Sequence, residues 1–207
     1  TFFSNLDPNS IESVSFLKDA ASSAIYGSRA AYGVVLVKTK DGKEGDVKVT
    51  YDGTVSMKIA TYTPKVLSSE WYARLSNEAA FNENPNAEMP YSDEEIEMFR
   101  NGSNPDMYPN TNWYDEILHT ALTHNHSLDI SGGTEKATYS VGTSYLYQDG
   151  ILDSKNDYSR FNLRTKADYK AFDWLKVGAN VVLSNSTQNL PNGEVWLAAF
   201  RTPGIIP

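Results

Sequence analysis

The three histidines are the side chains whose spacing most directly suggests chemistry in this sequence. His124 and His126 are two residues apart in an alternating stretch, so their side chains would point to the same side of a strand. Together with His119 they could ligate a metal ion. No thiol or carboxylate accompanies them at ligand spacing. We therefore expect polar aromatic residues at the rim of a barrel, and we predict no metal site.

Carboxylates gather at two places without forming a catalytic arrangement. Acidic residues follow Ser92, where a helix would begin and its dipole would favour negative charge; they are Glu94, Glu95 and Glu97. A second group of oxygen-bearing side chains lies in one stretch: Asp149, Asp153, Asn156 and Asp157. Their spacing differs from that of an EF-hand, and we interpret the stretch as a solvated loop.

Other chemistry-bearing residues have structural explanations. We expect Arg29 to pair with carboxylates, because guanidinium groups commonly hold interior polar contacts. Three tryptophans could stack on sugar rings, although we favour packing within long loops; they are Trp71, Trp113 and Trp196. The sequence thus assigns no substrate-contacting residue.

Composition excludes several classes of function. The chain of 207 residues contains no cysteine, which removes disulfides, thiolate metal sites and cysteine nucleophiles. The chain has 18 basic and 26 acidic residues and therefore a net negative charge, which argues against binding to the phosphate backbone of a nucleic acid. No Ser/His/Asp arrangement, phosphate-cradling glycine loop or HExxH sequence is present. We predict that the protein is not an enzyme and needs no cofactor.

The first 46 residues are predicted to form a strand, a helix and a strand. An apolar cluster in residues 11–17 is followed by Asp19, a suitable N-cap for a short helix over residues 20–26 that ends at Gly27. Residues 34–39 are β-branched and almost continuously apolar, which predicts a strand buried on both faces. The charged residues 41–46 are expected to form a turn and linker.

Strict alternation of polar and apolar residues begins at Val47. Over residues 47–59 the odd positions are mostly apolar and the even positions polar, which gives a strand of about 43 Å, longer than usual in a globular domain. Four further stretches behave similarly: 124–131, 137–147, 161–169 and 175–184. Charges lie opposite the apolar face, for example at Lys48, Asp52, Lys58, Arg164 and Lys166. These charges fit a wet interior.

The predicted connections differ in length. Residues 132–136 and 171–174 are tight turns, whereas 60–123, 148–157 and the part after 184 are longer. Two helices are predicted within the long link, one capped by Ser68 or Ser69 and one running from the capping box at Ser92 to Gly102. Short turns at one side and long loops at the other are typical of outer-membrane barrels.

Two stretches, residues 11–20 and 24–37, closely resemble the end of the plug in TonB-dependent outer-membrane receptors of the SusC/RagA family. Residues 112–117, 124–128, 131–135 and 160–164 are similar to that family's first barrel strands. Ala30 and Tyr32 depart from the family pattern. If the turn before Gly33 requires a positive φ, we expect a residue other than Ala30 to supply it.

The resemblance implies a mainly β fold. Residues 1–46 would be the C-terminal part of a small α+β plug domain. Residues 47–207 would be the first strands of a transmembrane antiparallel β-barrel, with a long helical extracellular loop at 60–123. Five strands cannot close the family's barrel of about 22 strands, so we expect a fragment of a larger protein.

The resemblance also implies TonB-dependent active import of a nutrient, most plausibly a glycan or oligosaccharide, across the bacterial outer membrane. A SusD-like surface lipoprotein would act as a lid, TonB would bind through a segment outside this chain, and membrane lipid would surround the barrel. Pairing of two transporter–lid units stays open. A peptide importer of the same family, a soluble all-β carbohydrate-binding module and a signalling receptor without transport are the alternatives. Strand length distinguishes the soluble module from a barrel.

Overall fold

The computed structural model describes residues 6–19 and 24–206, which form two compact units. Unit 1 contains the described residues up to 56, together with 123–148 and 158–188. Unit 2 contains residues 57–122, 149–157 and 189–206. No helix in the described ranges is both long and apolar enough to cross a membrane.

The N-terminal segment of unit 1, described over residues 6–19 and 24–46, is built around two strands. Both predicted strands are present, and β1 (Ile11–Leu17) pairs antiparallel with β2 (Val34–Thr39). Short 3-10 helices occupy Pro8–Ser10, Ala24–Tyr26 and Ser28–Tyr32. The predicted helix over 20–26 is therefore a 3-10 turn at 24–26, and its residues 20–23 lie outside the described ones.

Glycines supply the unusual backbone conformations of this segment. Gly27 and Gly33 flank the 3-10 helix Ser28–Tyr32 with φ of 79° and 96°. Among the residues that the structure describes, no side-chain-bearing residue has a positive φ, so Ala30 is not strained. The expectation that another residue carries this conformation is confirmed.

The prediction that residues 34–39 are buried on both faces is wrong. Val35 is 52% exposed. Strand β2 belongs to a sheet of two strands, and none of its described side chains is fully buried. An apolar run alone cannot distinguish a doubly covered strand from one with an open face.

Five long strands in sequential order form the second sheet of the chain. They are β3 (Gly45–Lys58), β4 (Ala121–Gly133), β5 (Ala137–Asp149), β6 (Asp157–Phe172) and β7 (Leu175–Gln188). Each has 13 to 16 residues, well above the five or six of an ordinary strand. The five alternating stretches predicted from the sequence are confirmed as strands.

Regular pairing gives this sheet two distinct faces. In the antiparallel pair β4–β5, Ser127 is opposite Ser144, and in β6–β7 Asn162 is opposite Ser184. These polar residues share what we call the polar face. The apolar face carries the intervening side chains, such as Val49 on β3 and Val181 on β7. Tight turns join β4 to β5 and β6 to β7, whereas the other connections are long, as predicted.

Burial on these two faces is the reverse of that in a water-soluble protein. Serine, asparagine and arginine side chains on the polar face are covered: Ser127, Ser140, Ser144, Arg160, Asn162 and Arg164. Apolar side chains on the opposite face are exposed: Val47, Val49, Val55, Tyr145, Phe161, Val177 and Leu183. Exposed apolar surface of this extent calls for an apolar environment.

Unit 2 is mainly helical. Helix α1 (Ser69–Glu83) begins at N-cap Ser68, and α2 (Asp93–Asn101) begins with a complete capping box at Ser92 and ends at Gly102, with φ of 63°. Both helices are confirmed. Two more helices, α3 (Trp113–Ile117) and α4 (Glu194–Arg201), were not predicted.

A small apolar core holds α1 and α2 together. Ala73, Ile96 and Phe99 are buried in it. Aromatic and aliphatic side chains pack around them, namely Tyr91, Tyr108 and Ile205. The rings of Phe99 and Tyr108 meet edge to face at 5.2 Å. The long link between β3 and β4 is therefore a folded structure, as the two helix signatures predict.

Candidate functional site

The N-terminal segment contacts the polar face of the five-stranded sheet through Arg164 of β6. The side chain of Arg164 is only 5% exposed. Its guanidinium donates to the Lys40 carbonyl oxygen at 2.7 Å, to Asp129 Oδ1 at 3.2 Å and to Ser140 Oγ at 3.4 Å. One cation thus links β4, β5 and β6 to the residue that follows β2.

The two residues after Lys40 are also held against the sheet. Lys166 Nζ lies 2.7 Å from Asp41 Oδ1, in an ion pair that is about one-third exposed. Gly42 approaches β5 so closely that a Cβ atom would overlap the backbone of Tyr139. A side chain at position 42 is therefore incompatible with this approach. We call residues 40–42 the linker anchor.

A further contact between the described N-terminal segment and the sheet is uncharged. Asn9 Nδ2 donates to Ser127 Oγ at 3.0 Å. On the sheet itself, Asn162 Nδ2 donates to Ser144 Oγ at 3.3 Å. These contacts and the linker anchor together make a polar seam, in which hydrogen bonds and ion pairs replace apolar packing. Water can substitute for such bonds, so a polar seam can separate at lower cost than an apolar interface.

A cavity of about 30 Å³ lies within the seam, bordered by Asp7, Ser10, Asp129, Asn162 and Arg164. That volume suits about one water molecule. Asn162 Oδ1 and Arg164 Nε have no hydrogen-bond partner among the described residues. The cavity therefore has the size for one water molecule, although apolar side chains such as Leu6, Leu163 and Val182 make up most of its lining.

A larger cavity of about 560 Å³ borders the linker on its other side. Its lining carries charges of both signs: Glu12, Lys40, Asp41, Lys43, Asp46 and Lys48. The cavity lies between β1, the linker and the polar face of β3 and β4. The face of the strands that the sequence predicts to be wet thus borders a cavity that can hold water, next to the N-terminal segment.

Two of the three histidines lie on the apolar face within a cluster of rings. His124 and His126 have ring centroids 5.2 Å apart, and Tyr51 Oη lies 2.7 Å from His126 Nδ1. Tyr145 and Tyr147 of β5 lie next to His124, with centroids at 5.9 and 5.4 Å. Amphipathic rings of this kind suit the boundary between an apolar phase and water.

The third histidine lies apart from the ring cluster. His119 Nε2 is 3.0 Å from Asp149 Oδ2 in unit 2. This carboxylate is 30 residues away in the sequence, and spacing alone gives no sign of the pair. Within the described ranges, no three histidine or carboxylate side chains gather closely enough to hold a metal ion.

The other acidic candidates are engaged locally. Asp157 accepts from Asn189 Nδ2 at 3.0 Å, and the Gly150 N–H donates to the Asn156 carbonyl at 2.7 Å, as in an ordinary loop. Glu95 accepts from the Ser92 backbone N–H at 2.8 Å, which lowers the pKa of the Glu95 carboxyl. Of the remaining acidic candidates, Glu94 and Glu97 lie in α2, and Asp153 lies in the loop between β5 and β6.

The environments of Arg29 and the three tryptophans agree only in part with the predictions. Arg29 is exposed, and the expected ion pair with a carboxylate is not seen among the described residues. Trp71 is 56% exposed, so its predicted core packing is wrong in this unit. Trp196 packs edge to face on the buried Tyr114 at 5.2 Å, and Trp113 Nε1 donates to the Pro203 carbonyl. These last two tryptophans make packing or hydrogen-bond contacts, but Trp196 is still 43% exposed and is not a core residue.

The chain is similar in sequence to known TonB-dependent receptors. No family model matches the chain. TonB-dependent receptor P26 of Formosa agariphila is 35% identical over 195 residues, which is 92% of this chain. TonB-dependent receptor SusC of Bacteroides thetaiotaomicron is 32% identical over 184 residues, or 88% of this chain. The chain spans 18% and 16% of the lengths of these two relatives.

The fold is also similar to that of a solved transporter. The structure of the RagAB peptide importer in its closed-closed state matches 93% of this chain with a TM-score of 0.74 and 24% sequence identity. The match covers 23% of the RagAB chain. A second structure of the RagAB peptide transporter gives a TM-score of 0.69 over 90% of this chain.

Proposed function

Because this chain is a SusC/RagA-like segment of a TonB-dependent receptor, we propose that the protein carrying it actively imports a nutrient across the bacterial outer membrane. The observation that carries this proposal is the reversed burial of the five-stranded sheet. Apolar side chains on one face are exposed, whereas polar side chains of β4, β5 and β6 on the other face are buried. A barrel wall between lipid and a plugged, wet lumen needs this arrangement.

Each part of the chain then has a role. Residues 1–46 are the C-terminal part of the plug, and residues 47–207 provide the first barrel strands, with 60–123 as an extracellular loop. TonB binds a segment outside this chain and pulls on the plug. The polar seam suits such a plug, because water can replace each contact as it breaks.

We propose an oligosaccharide as the nutrient. Exposed aromatic rings in unit 2, including Trp71 and Tyr62, are surfaces on which sugar rings can stack. A peptide is the second candidate, because the structural relative RagAB is described as a peptide importer. A SusD-like surface lipoprotein would retain either substrate against the extracellular loops. No catalytic activity is proposed for the chain.

Uptake by living cells tests this proposal. The gene for the full-length receptor is deleted and then restored, and cells are supplied with fluorescent oligosaccharides or fluorescent oligopeptides. We expect deletion to abolish accumulation of one oligosaccharide class and restoration to recover it. Loss of peptide accumulation instead would select the peptide alternative. Unchanged accumulation of both classes would contradict import, and a receptor in the soluble fraction would favour a carbohydrate-binding module.

A further inference from the structure

The linker anchor is held differently from the rest of the polar seam. The Lys40 carbonyl accepts a hydrogen bond of 2.7 Å from the charged Arg164 guanidinium. The Asp41 carboxylate forms an ion pair with Lys166, with Oδ1 and Nζ 2.7 Å apart. Charge-assisted hydrogen bonds are roughly twice as strong as neutral ones. Gly42 adds close backbone packing against Tyr139. Three consecutive residues are thus fixed to β5 and β6.

In the part of the chain that the structure describes, the upstream residues contact the sheet through a neutral side chain. Asn9 contacts the sheet through one amide–hydroxyl bond to Ser127. The upstream part is joined to the residues around the anchor by the β1–β2 pairing, by the Lys40 N–H, which donates to the Ser10 carbonyl at 2.9 Å, and by Glu12, which pairs with Lys38 and Lys43. A pulling force applied from the N-terminal side would therefore break the contacts of residues 9 and 10 before those of residues 40–42.

We propose that the linker anchor remains on the barrel wall during transport, and that displacement of the plug stops at Lys40. Arg164 and Lys166 are then positioning residues, which set where the movable part of the plug ends. The anchor also lies three residues before β3 begins at Gly45, so it protects the pairing of the first barrel strand from the pulling force. This inference rests on the proposed TonB-driven import.

Cross-linking of engineered cysteine pairs tests the inference, in a full-length receptor from which any cysteine outside this cysteine-free chain has been replaced. The full-length receptor carries either Asp41→Cys with Lys166→Cys, or Asn9→Cys with Ser127→Cys. A short bifunctional thiol reagent links each pair, and uptake is compared with that of the same variant before linking. We expect the linked 41–166 pair to import as before, and the linked 9–127 pair to lose import.

The two pairs serve as matched controls, because each joins the N-terminal segment to the polar face through one side-chain contact. Loss of import on linking 41–166 would overturn the inference, since the anchor would then have to move. Continued import on linking 9–127 would overturn it as well, because the upstream part would not need to leave the wall.

Thiol labelling gives a second readout that does not depend on cross-linking. Single variants Asn9→Cys and Asp41→Cys in the full-length receptor are treated with a water-soluble maleimide, with and without substrate in energised cells. We expect import to accelerate labelling at position 9 and to leave the rate at position 41 unchanged. Equal acceleration at both positions would overturn the inference. Absence of uptake in the wild-type receptor would instead refute the proposed function.

Discussion

Arg164 is a buried cation whose importance comes from the number of elements that it joins. Its guanidinium reaches Asp129, Ser140 and the Lys40 carbonyl from a side chain that is almost inaccessible to water. A neutral side chain at this position would leave the Asp129 carboxylate, which is 14% exposed, without its partner. A buried ion pair that loses one member costs more than one that loses both.

We therefore predict that Arg164→Met lowers the free energy of unfolding of the full-length receptor by about 3 kcal/mol. Adding Asp129→Asn should recover part of this loss, because no uncompensated buried charge then remains. The measurement is the temperature at which the folded receptor converts to its unfolded mobility on a gel. Equal unfolding temperatures for wild type and Arg164→Met, or no recovery in the double variant, would contradict this view of the pair.

Gly42 gives a second prediction at the residue scale. In Gly42→Ala the new methyl group would overlap the Tyr139 backbone, so the linker must move away from β5 at a cost of about 1–3 kcal/mol. We expect faster amide hydrogen exchange over residues 40–46 in the full-length receptor. Gly193→Ala is the matched control, because no atom lies within 4 Å of its added Cβ and its φ is −61°. Equal exchange in the two variants would contradict the close approach.

Side-chain partners were the least predictable part of the candidate site. Alternation correctly placed Arg164 and Lys166 on the charged face, but their partners Lys40 and Asp41 are more than 120 residues away. Such pairs depend on how the N-terminal segment lies on the sheet, which no local pattern encodes. Arg29 and Trp71 were assigned partners by residue type alone, and both are exposed in the described structure.

Among the elements, helix α2 has the most completely specified ends. Ser92 Oγ accepts from the Glu95 N–H at 3.3 Å, and the Glu95 carboxylate accepts in return from the Ser92 N–H. We predict that Ser92→Ala destabilises α2 by about 1 kcal/mol, or about fivefold in local hydrogen exchange. Exchange of residues 93–101 in the full-length receptor measures the change. Ser76→Ala in α1 is the control, because Ser76 bonds within its own helix and caps nothing. Similar effects in the two helices would contradict the capping role.

The same capping box predicts a pH dependence. Hydrogen bonds from the Ser92 backbone and side chain lower the pKa of Glu95 below its ordinary value of 4.5. The stabilisation of α2 by the carboxylate is therefore fully present above pH 4.5 and is lost as the pH falls through the lowered pKa. Glu95→Gln keeps an acceptor but does not titrate. The exchange difference between wild type and Glu95→Gln should change below pH 4.5, and a constant difference would contradict the prediction.

The sequence predicts those helices and strands that have both a regular polar–apolar period and a cap or turn that marks where they begin or end. The five long strands have alternation and turns, and α1 and α2 have capping serines. Helix α3 has only five residues, too few to establish a period. Helix α4 starts after Gly193, which provides no side-chain cap. Its apolar residues could therefore not be recognised as a helix from the sequence, because nothing marks where the helix begins. Helix α3 was therefore missed for lack of a period, although Asn112 caps it, and α4 for lack of an end signal.

At the scale of the whole molecule, strand length and face chemistry point to the same environment. Strand β3 has 14 residues, and a tilted strand needs about 9–11 to cross the hydrocarbon core of a bilayer. Its odd positions carry Val47, Val49, Val55 and Met57, all exposed. The ring cluster of Tyr51, His124 and His126 lies on the same face, between apolar side chains of β3 on either side of Tyr51. The sequence alone predicts this two-sidedness, but it cannot predict which residues of the N-terminal segment cover the polar side.

Spin labels placed one at a time along β3 of the full-length receptor in liposomes test the membrane orientation. Labels at odd positions 49–55 should be accessible to oxygen and shielded from a water-soluble nickel complex, because the proposed barrel turns them toward lipid. Labels at even positions 48–58 should show the opposite ratio, because the proposed barrel turns them toward a wet lumen. A label at Glu78, exposed on α1 in unit 2, provides the aqueous reference. Equal ratios on both faces, or nickel access to the odd positions, would contradict a barrel wall and would favour a water-soluble sheet.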